Sequence, residues 1–479
     1  MIILSSQSTL IFRRITYSKR RIKENQWWWW CMTVRNTLCK RTIIAYCIFF
    51  FTVLIIWKYH EKSIKIEEEE DTLKQIISLS SVNPISRTTT TTINQENEKQ
   101  TNSIISIESD RLDYWLRNNS RTLGINLTAI LAPKRSRKYL VYVCHENCGG
   151  WGDRLRGIMS LFMLSLMLDR NFRIEITHPC NLSYILRPNL YNWIQPINGL
   201  VVVDPITHRR RFNLTRKMII TTANAQKEVL TNVSNILYNN RSINSIWSED
   251  VLYWATNKDY FYQLSNNIFY RKKFKSYGIM TKYNIKLDIL FSLFYEILFR
   301  PVDKIQQHIL QYKLKQKNSH IICAQIRTGK NPTIPDDKVL PGRRNISESI
   351  FSFIDSNNSN INSQIFLTTD NEQVYYEARQ RYGSRLLYVS GEITHLDRSL
   401  NVHQKVCREQ DKLLTDFHLL GEICDMSIIS NSGFGFWGNL RRFKPFEQLF
   451  VFCAGRIYKI ESMWHLYKMR EQNKHGELC

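Results

Sequence analysis

Four segments hold residue types that can grip a phosphorylated ligand: 148–157 (CGGWGDRLRG), 324–330 (AQIRTGK), 366–371 (FLTTDN) and 416–435 (DFHLLGEICDMSIISNSGFG). In the second, the guanidinium of Arg327 is planar, permanently charged and able to hold two oxygens of one phosphate, with Lys330 as a further cation. In the fourth, Ser432, Gly433 and Phe434 stand where an apolar strand pattern turns helical, so backbone N–H groups and the helix dipole can receive an anion. The first offers a glycine turn, Gly150 and Gly152, followed by Asp153 and Arg154, which either shape a cleft or hold each other as an ion pair. That turn lacks the Gly-Lys-Ser/Thr ending of a P-loop, which argues against a nucleoside triphosphatase. Asp416 sits on a helical pattern among Leu413, Leu414, Leu419 and Leu420, which implies a partly buried carboxylate.

Regular elements must hold these groups in place. The apolar run 139–144 (YLVYVC) reads as a buried strand, 155–168 as an apolar helix and 172–176 as a strand, a unit that implies a parallel sheet. A second series has strands at 321–326, 364–367, 386–389 and 426–430, with helices at 348–355, 372–382 and 411–422. Between them, 185–300 parses less clearly, apart from a helical stretch at 287–299. The expected class is α/β, with two Rossmann-like domains, 137–300 and 301–479, facing a cleft. The four segments then fall after strands or on a neighbouring helix, where open α/β sheets bind ligands.

The rest of the chain bears on where such a head would work. The formal net charge of +24, from 66 Lys and Arg against 42 Asp and Glu, suits an anionic partner such as a diphosphate. No zinc-finger spacing, basic zipper or aromatic RNA-binding signature occurs, so nucleic acid is not the expected partner. Residues 42–57 (TIIAYCIFFFTVLIIW) are uncharged and span about 24 Å as a helix, a short transmembrane anchor. The preceding tail, 1–41, holds nine Lys or Arg, and an acidic run, 67–71, follows the anchor, which orients the tail to the cytosol and the rest to the lumen. The Ser/Thr/Asn-rich stretch 58–136 reads as a flexible stem. Eight cysteines follow the anchor, an even number that fits an oxidising compartment, and Cys144 with Cys148 suits disulfide chemistry better than a zinc site. These features together match a single-pass type II membrane glycoprotein with a signal-anchor.

The motif order resembles the nucleotide-sugar-binding half of the fucosyltransferase superfamily that includes α1,6-, α1,2- and protein O-fucosyltransferases. The matching residues are Gln325-Ile326-Arg327, Thr369-Asp370, Asp416-Phe417-His418-Leu419-Leu420 and Asn431-Ser432-Gly433-Phe434, and the likeness is strongest over 319–442. The resemblance implies a GT-B fold and an inverting, metal-independent transfer of fucose from GDP-fucose to a hydroxyl of a glycan or glycoprotein, with no cofactor. It further implies that Arg327 neutralises the departing diphosphate, that Asp416 accepts from the guanine edge and that Asp370 meets the nucleoside. The attacking hydroxyl must give up its proton, for which Asp336 or Asp337 is the candidate base, with Glu146 competing. Gln325 stands where many members have His, and Thr328-Gly329-Lys330 replaces the usual residues after the arginine. These departures keep two alternatives open: a same-fold transferase using another nucleotide sugar, and a non-catalytic binding module.

Overall fold

The computed structural model describes residues 123–473 apart from internal segments that include 198–201, 204–209, 330–342 and 397–402. All of these belong to one compact unit, Asn102–Cys479. The expected tail, anchor and most of the stem lie outside the described residues; among those described, no helix is long and apolar enough to cross a membrane.

Two sheets organise the unit. The first contains β1 (Tyr139–Cys144), followed by helix α1 (Trp151–Leu168) and strand β2 (Asn171–Ile176), then β3 (Arg216–Thr221) and β4 (Val251–Thr256). Its order is β2-β1-β4-β3, all parallel. Helix α1 is apolar on nearly every side and correspondingly buried on nearly every side. It starts at 151, not 155, because the glycine turn before it serves as the helix entry, with Gly150 at the N-cap.

Helices α2 (Leu287–Leu298) and α3 (Asp303–Lys315) lead to the second sheet. This contains β5 (Ile321–Ile326), α4 (Ile346–Asn357), β6 (Gln364–Thr369), α5 (Glu372–Tyr382) and β7 (Leu386–Leu387). It continues through α6 (His403–Glu422), β8 (Met426–Ser430), α7 (Gly433–Asn439), β9 (Leu449–Cys453), β10 (Arg456–Lys459) and α8 (Met463–Asn473). The strand order is β7-β6-β5-β8-β9-β10, parallel except for the last pair. After β5 the chain runs outward through β6 and β7, then returns to place β8 on the other side of β5. That reversal is a topological switch point, and the carboxyl ends of β5 and β8 frame it.

One continuous core joins the sheets. Leu140 of β1, Phe162 of α1, Phe294 of α2, Phe417 of α6 and Trp437 of α7 belong to the same buried cluster. Phe291 and Trp437 stack with ring centroids 4.6 Å apart, and Trp151 meets Phe417 edge-on at 6.2 Å. A second cluster, with Ile350, Leu367 and Val374, fills the space between the second sheet and α4 and α5. Disulfides join Cys144 to Cys148, Cys180 to Cys407 and Cys323 to Cys424, and Cys453 is disulfide-bonded as well.

Candidate functional site

The site begins where β5 ends. Gln325 is buried, and its Oε1 accepts from Ser430 Oγ at 2.8 Å and Ser432 Oγ at 2.9 Å, tying β5 to β8 and to the start of α7. A Cβ at Gly435 would lie 2.8 Å from Gln325 Cδ, so only glycine lets α7 approach this side chain. Two residues on, Arg327 is half-buried; Ser430 Oγ accepts from its backbone N–H at 3.1 Å, and its Nε lies 3.8 Å from Asp370 Oδ2. Asp370 also accepts from the backbone N–H groups of Thr328, at 2.8 Å, and Gly329, at 3.1 Å. Its carboxylate therefore shapes the loop that carries Arg327, beyond the nucleoside contact the resemblance implies.

Helix α6 supplies the opposite wall. Asp416 is buried, and its Oδ2 accepts from Lys412 Nζ at 3.0 Å and Thr368 Oγ1 at 3.1 Å. Its Oδ1 is equally buried and has no hydrogen-bond partner. Burial pushes the Asp416 carboxyl above the usual range, and the Lys412 ammonium is the largest opposing influence. An unpaired buried acceptor is costly and marks a place where a ligand donor belongs.

His418, two residues later, faces away from this wall. Its Nδ1 lies 3.0 Å from Glu422 Oε1 and its Nε2 3.0 Å from Tyr295 OH, and burial pushes its pKa down to about 3, so the ring is neutral. Glu422 also accepts from Lys313 at 2.7 Å and Arg441 at 3.1 Å, and Arg441 reaches Glu296 at 2.8 Å. This network fixes α6 against α2 and α3, which holds Asp416 in its orientation.

The third wall is made by two helix starts. A Cβ at Gly152 would lie 2.6 Å from Phe434 N and 2.7 Å from Gly433 O, so the first turn of α1 rests directly on the backbone that opens α7. Ser432 caps α7 by accepting from Gly435 N at 3.3 Å. The expected Asp153–Arg154 pair does not form. Asp153 instead pairs with Arg156 at 2.5 Å, and the buried Arg154 donates to the carbonyls of Gly149, at 3.0 Å, and His178. Adjacent helical residues point about 100° apart, whereas residues three apart share a face.

One cleft gathers Gly150, Gln325, Arg327, Asp370, Asp416 and Phe434 from the sequence-based set. Ser432, Gly433, Gly152, Asp153 and Arg154 are not part of that lining, nor is the exposed Glu146; Lys330, Asp336 and Asp337 lie outside the described residues. The cleft also takes in Leu413, one of the leucines around Asp416, and Trp151, Thr368, Glu392, Leu396 and Lys412, which had no role assigned from sequence. The indole N–H of Trp151 is buried without a hydrogen-bond partner. Of these, Lys412 had a readable signal, since it lies four residues before Asp416 on one helical face. Chemically, the cleft offers a reachable guanidinium, an unpaired carboxylate oxygen and an unpaired N–H donor within one lining.

No protein-family model matches the chain, and no curated protein matches it in sequence. Similar solved structures are found at low sequence identity. A point mutant of Arabidopsis thaliana FUT1 in complex with GDP is 12% identical over 71% of this chain and 78% of that one, with a TM-score of 0.47. NodZ, the Bradyrhizobium α-1,6-fucosyltransferase, soaked with GDP-fucose, is 12% identical over 68% and 99%, with a TM-score of 0.43. POFUT1 in complex with GDP-fucose is 12% identical over 64% and 95%, with a TM-score of 0.35.

Proposed function

We propose that this chain is an inverting glycosyltransferase that moves fucose from GDP-fucose to a hydroxyl of a glycan or glycoprotein acceptor without a metal ion. The observation that carries the reading is the pairing, in one cleft, of Arg327 with the unpartnered, buried Oδ1 of Asp416. Guanine presents N–H donors on the edge that such an oxygen accepts from, and a diphosphate presents the oxygens that a guanidinium grips. As the bond to the anomeric carbon breaks, negative charge grows on the diphosphate. Arg327, half-exposed on a loop tied down by Asp370 and Ser430, meets that charge with little rearrangement. The acceptor hydroxyl attacks from the opposite face and passes its proton to a carboxylate, for which Asp336 or Asp337 is proposed.

The setting proposed is a Golgi membrane, with 42–57 as a type II signal-anchor and the described unit in the lumen. The charge bias around 42–57 supports this orientation, and the disulfides fit an oxidising compartment. The test is calorimetry of the secreted head with a panel of GDP- and UDP-sugars, followed by transfer assays. Binding of GDP and GDP-fucose in preference to uridine nucleotides is expected. Arg327→Ala should lower kcat/KM for transfer by about 10²- to 10³-fold, or ~3 to 4 kcal/mol. Unchanged turnover in that variant overturns the assignment.

A further inference from the structure

We infer that Lys412 is a positioning residue for the nucleotide base: it holds one oxygen of Asp416 so that the other remains an ionised acceptor for the ligand. This rests on the reading of the cleft as a GDP site.

The basis is how completely the ammonium is used. Lys412 Nζ donates to Val389 O at 2.7 Å and to Asp416 Oδ2 at 3.0 Å, and lies 4.0 Å from the centroid of the Tyr388 ring. Two oxygen acceptors and an aromatic face account for the three N–H donors of a lysine. The Lys412 side chain is only 5% exposed, as is that of Asp416. A lysine in this state acts on a ligand through its carboxylate partner and not by reaching a phosphate.

Asp416 is pinned in turn. Thr368 Oγ1 and Lys412 Nζ both donate to Oδ2, and turning the carboxylate away from this position would break both bonds. The other titratable or charged groups around the pair are Tyr388 beneath Lys412, Tyr312, whose hydroxyl donates to Tyr388 O at 3.0 Å, and Arg327, Asp370 and Glu392 in the cleft lining. Tyr388 and Tyr312 are both pushed upward by burial and stay neutral, so Lys412 is the cation in direct contact with the carboxylate. Without the ammonium, burial favours the neutral carboxylic acid. A protonated Asp416 offers one acceptor fewer and adds an O–H donor, which mismatches a base edge made of N–H groups.

The experiment is calorimetric titration of GDP into wild type, Lys412→Met, Lys412→Gln and Asp416→Asn between about pH 6 and about pH 8.5. The two Lys412 variants are expected to bind GDP about 10- to 100-fold more weakly near neutral pH, the worth of one hydrogen bond to a charged group. Their deficit relative to wild type should shrink as pH rises and Asp416 loses its proton. Asp416→Asn, which cannot ionise, should show a deficit that stays constant with pH. If wild type binds GDP and Asp416→Asn does not, yet a folded Lys412 variant matches wild type or shows a pH-independent deficit, the inference is overturned. Should Lys412→Met fail to fold, Lys412→Gln, with its polar head, decides the same question. Absence of GDP binding by wild type overturns the reading of the cleft and this inference with it.

Discussion

Replacing Gly152 with alanine tests the junction that makes the third wall of the cleft. The added Cβ would sit 2.6 Å from Phe434 N and 2.7 Å from Gly433 O. Ordinary contacts need about 3.5 Å, so the first turn of α1 and the start of α7 must part by roughly 1 Å. The atoms in the way are backbone, and neither helix start has a flexible end that can yield. Overpacking of this kind costs ~1 to 3 kcal/mol of stability. The same displacement moves Phe434 and Trp151, both in the cleft lining, and a misplacement of about 1 Å can cost about 100-fold in rate. Thermal unfolding measures the first effect on Gly152→Ala, and GDP calorimetry with transfer kinetics measures the second. Wild-type melting together with wild-type GDP affinity would refute the close approach of the two helices.

Two further outcomes follow from the network behind α6. Glu422→Ala removes one acceptor each from Lys313, His418 and Arg441, so denaturant unfolding should report a loss of ~3 to 5 kcal/mol, as for other broken buried pairs. His418 has its pKa lowered from 6.5 to about 3 by burial. Between those values the unfolded chain binds a proton that the folded one refuses, so stability should fall as pH drops through that window, and His418→Gln should flatten the slope of melting temperature against pH.

Particular residues explain how far the sequence could be read. Strands β5 and β8 were legible to the residue because parallel strands covered on both faces read as unbroken apolar runs, IICAQI and MSIIS. Helix α5 was read at its observed bounds, 372–382, and the structure shows what sets them: Asn371 accepts from Gln373 N at the start and Gly383 at φ 55° ends it. Strands β3 and β4 were not. β3 lies at a sheet edge, exposes Met218 and Ile220 and begins with two basic residues, while β4 (VLYWAT) is an aromatic run that periodicity alone does not separate from helix. The reading placed a strand over 386–389 and only 386–387 pairs; it started α6 at 411, whereas the helix begins at His403. Its extra turns (HQKVCREQ) lack an apolar stripe, and Cys407 within them is bonded to Cys180, a partner 227 residues away that no local pattern reveals.

The site divides in the same way. Arg327 and Asp416 stood out because a charge at a strand end or among leucines is unusual. Lys412 carried a readable signal, four residues before Asp416 on the same helix, whereas Thr368 is ordinary in sequence and only tertiary packing brings it onto the same oxygen of Asp416.

Helix α6 is bolted covalently near both ends, by Cys407 to the loop after β2 and by Cys424, just beyond its last turn, to Cys323 within β5. A helix held this way can neither slide nor roll, so any breathing of the cleft during turnover has to be carried by its loops. Under the proposed GDP reading, the carboxylate oxygen that would accept from the base is in place before the nucleotide arrives, and binding there sacrifices little chain entropy. For the proposed transfer, this makes recognition of the donor the rigid half of the cycle and accommodation of the acceptor the adaptable half.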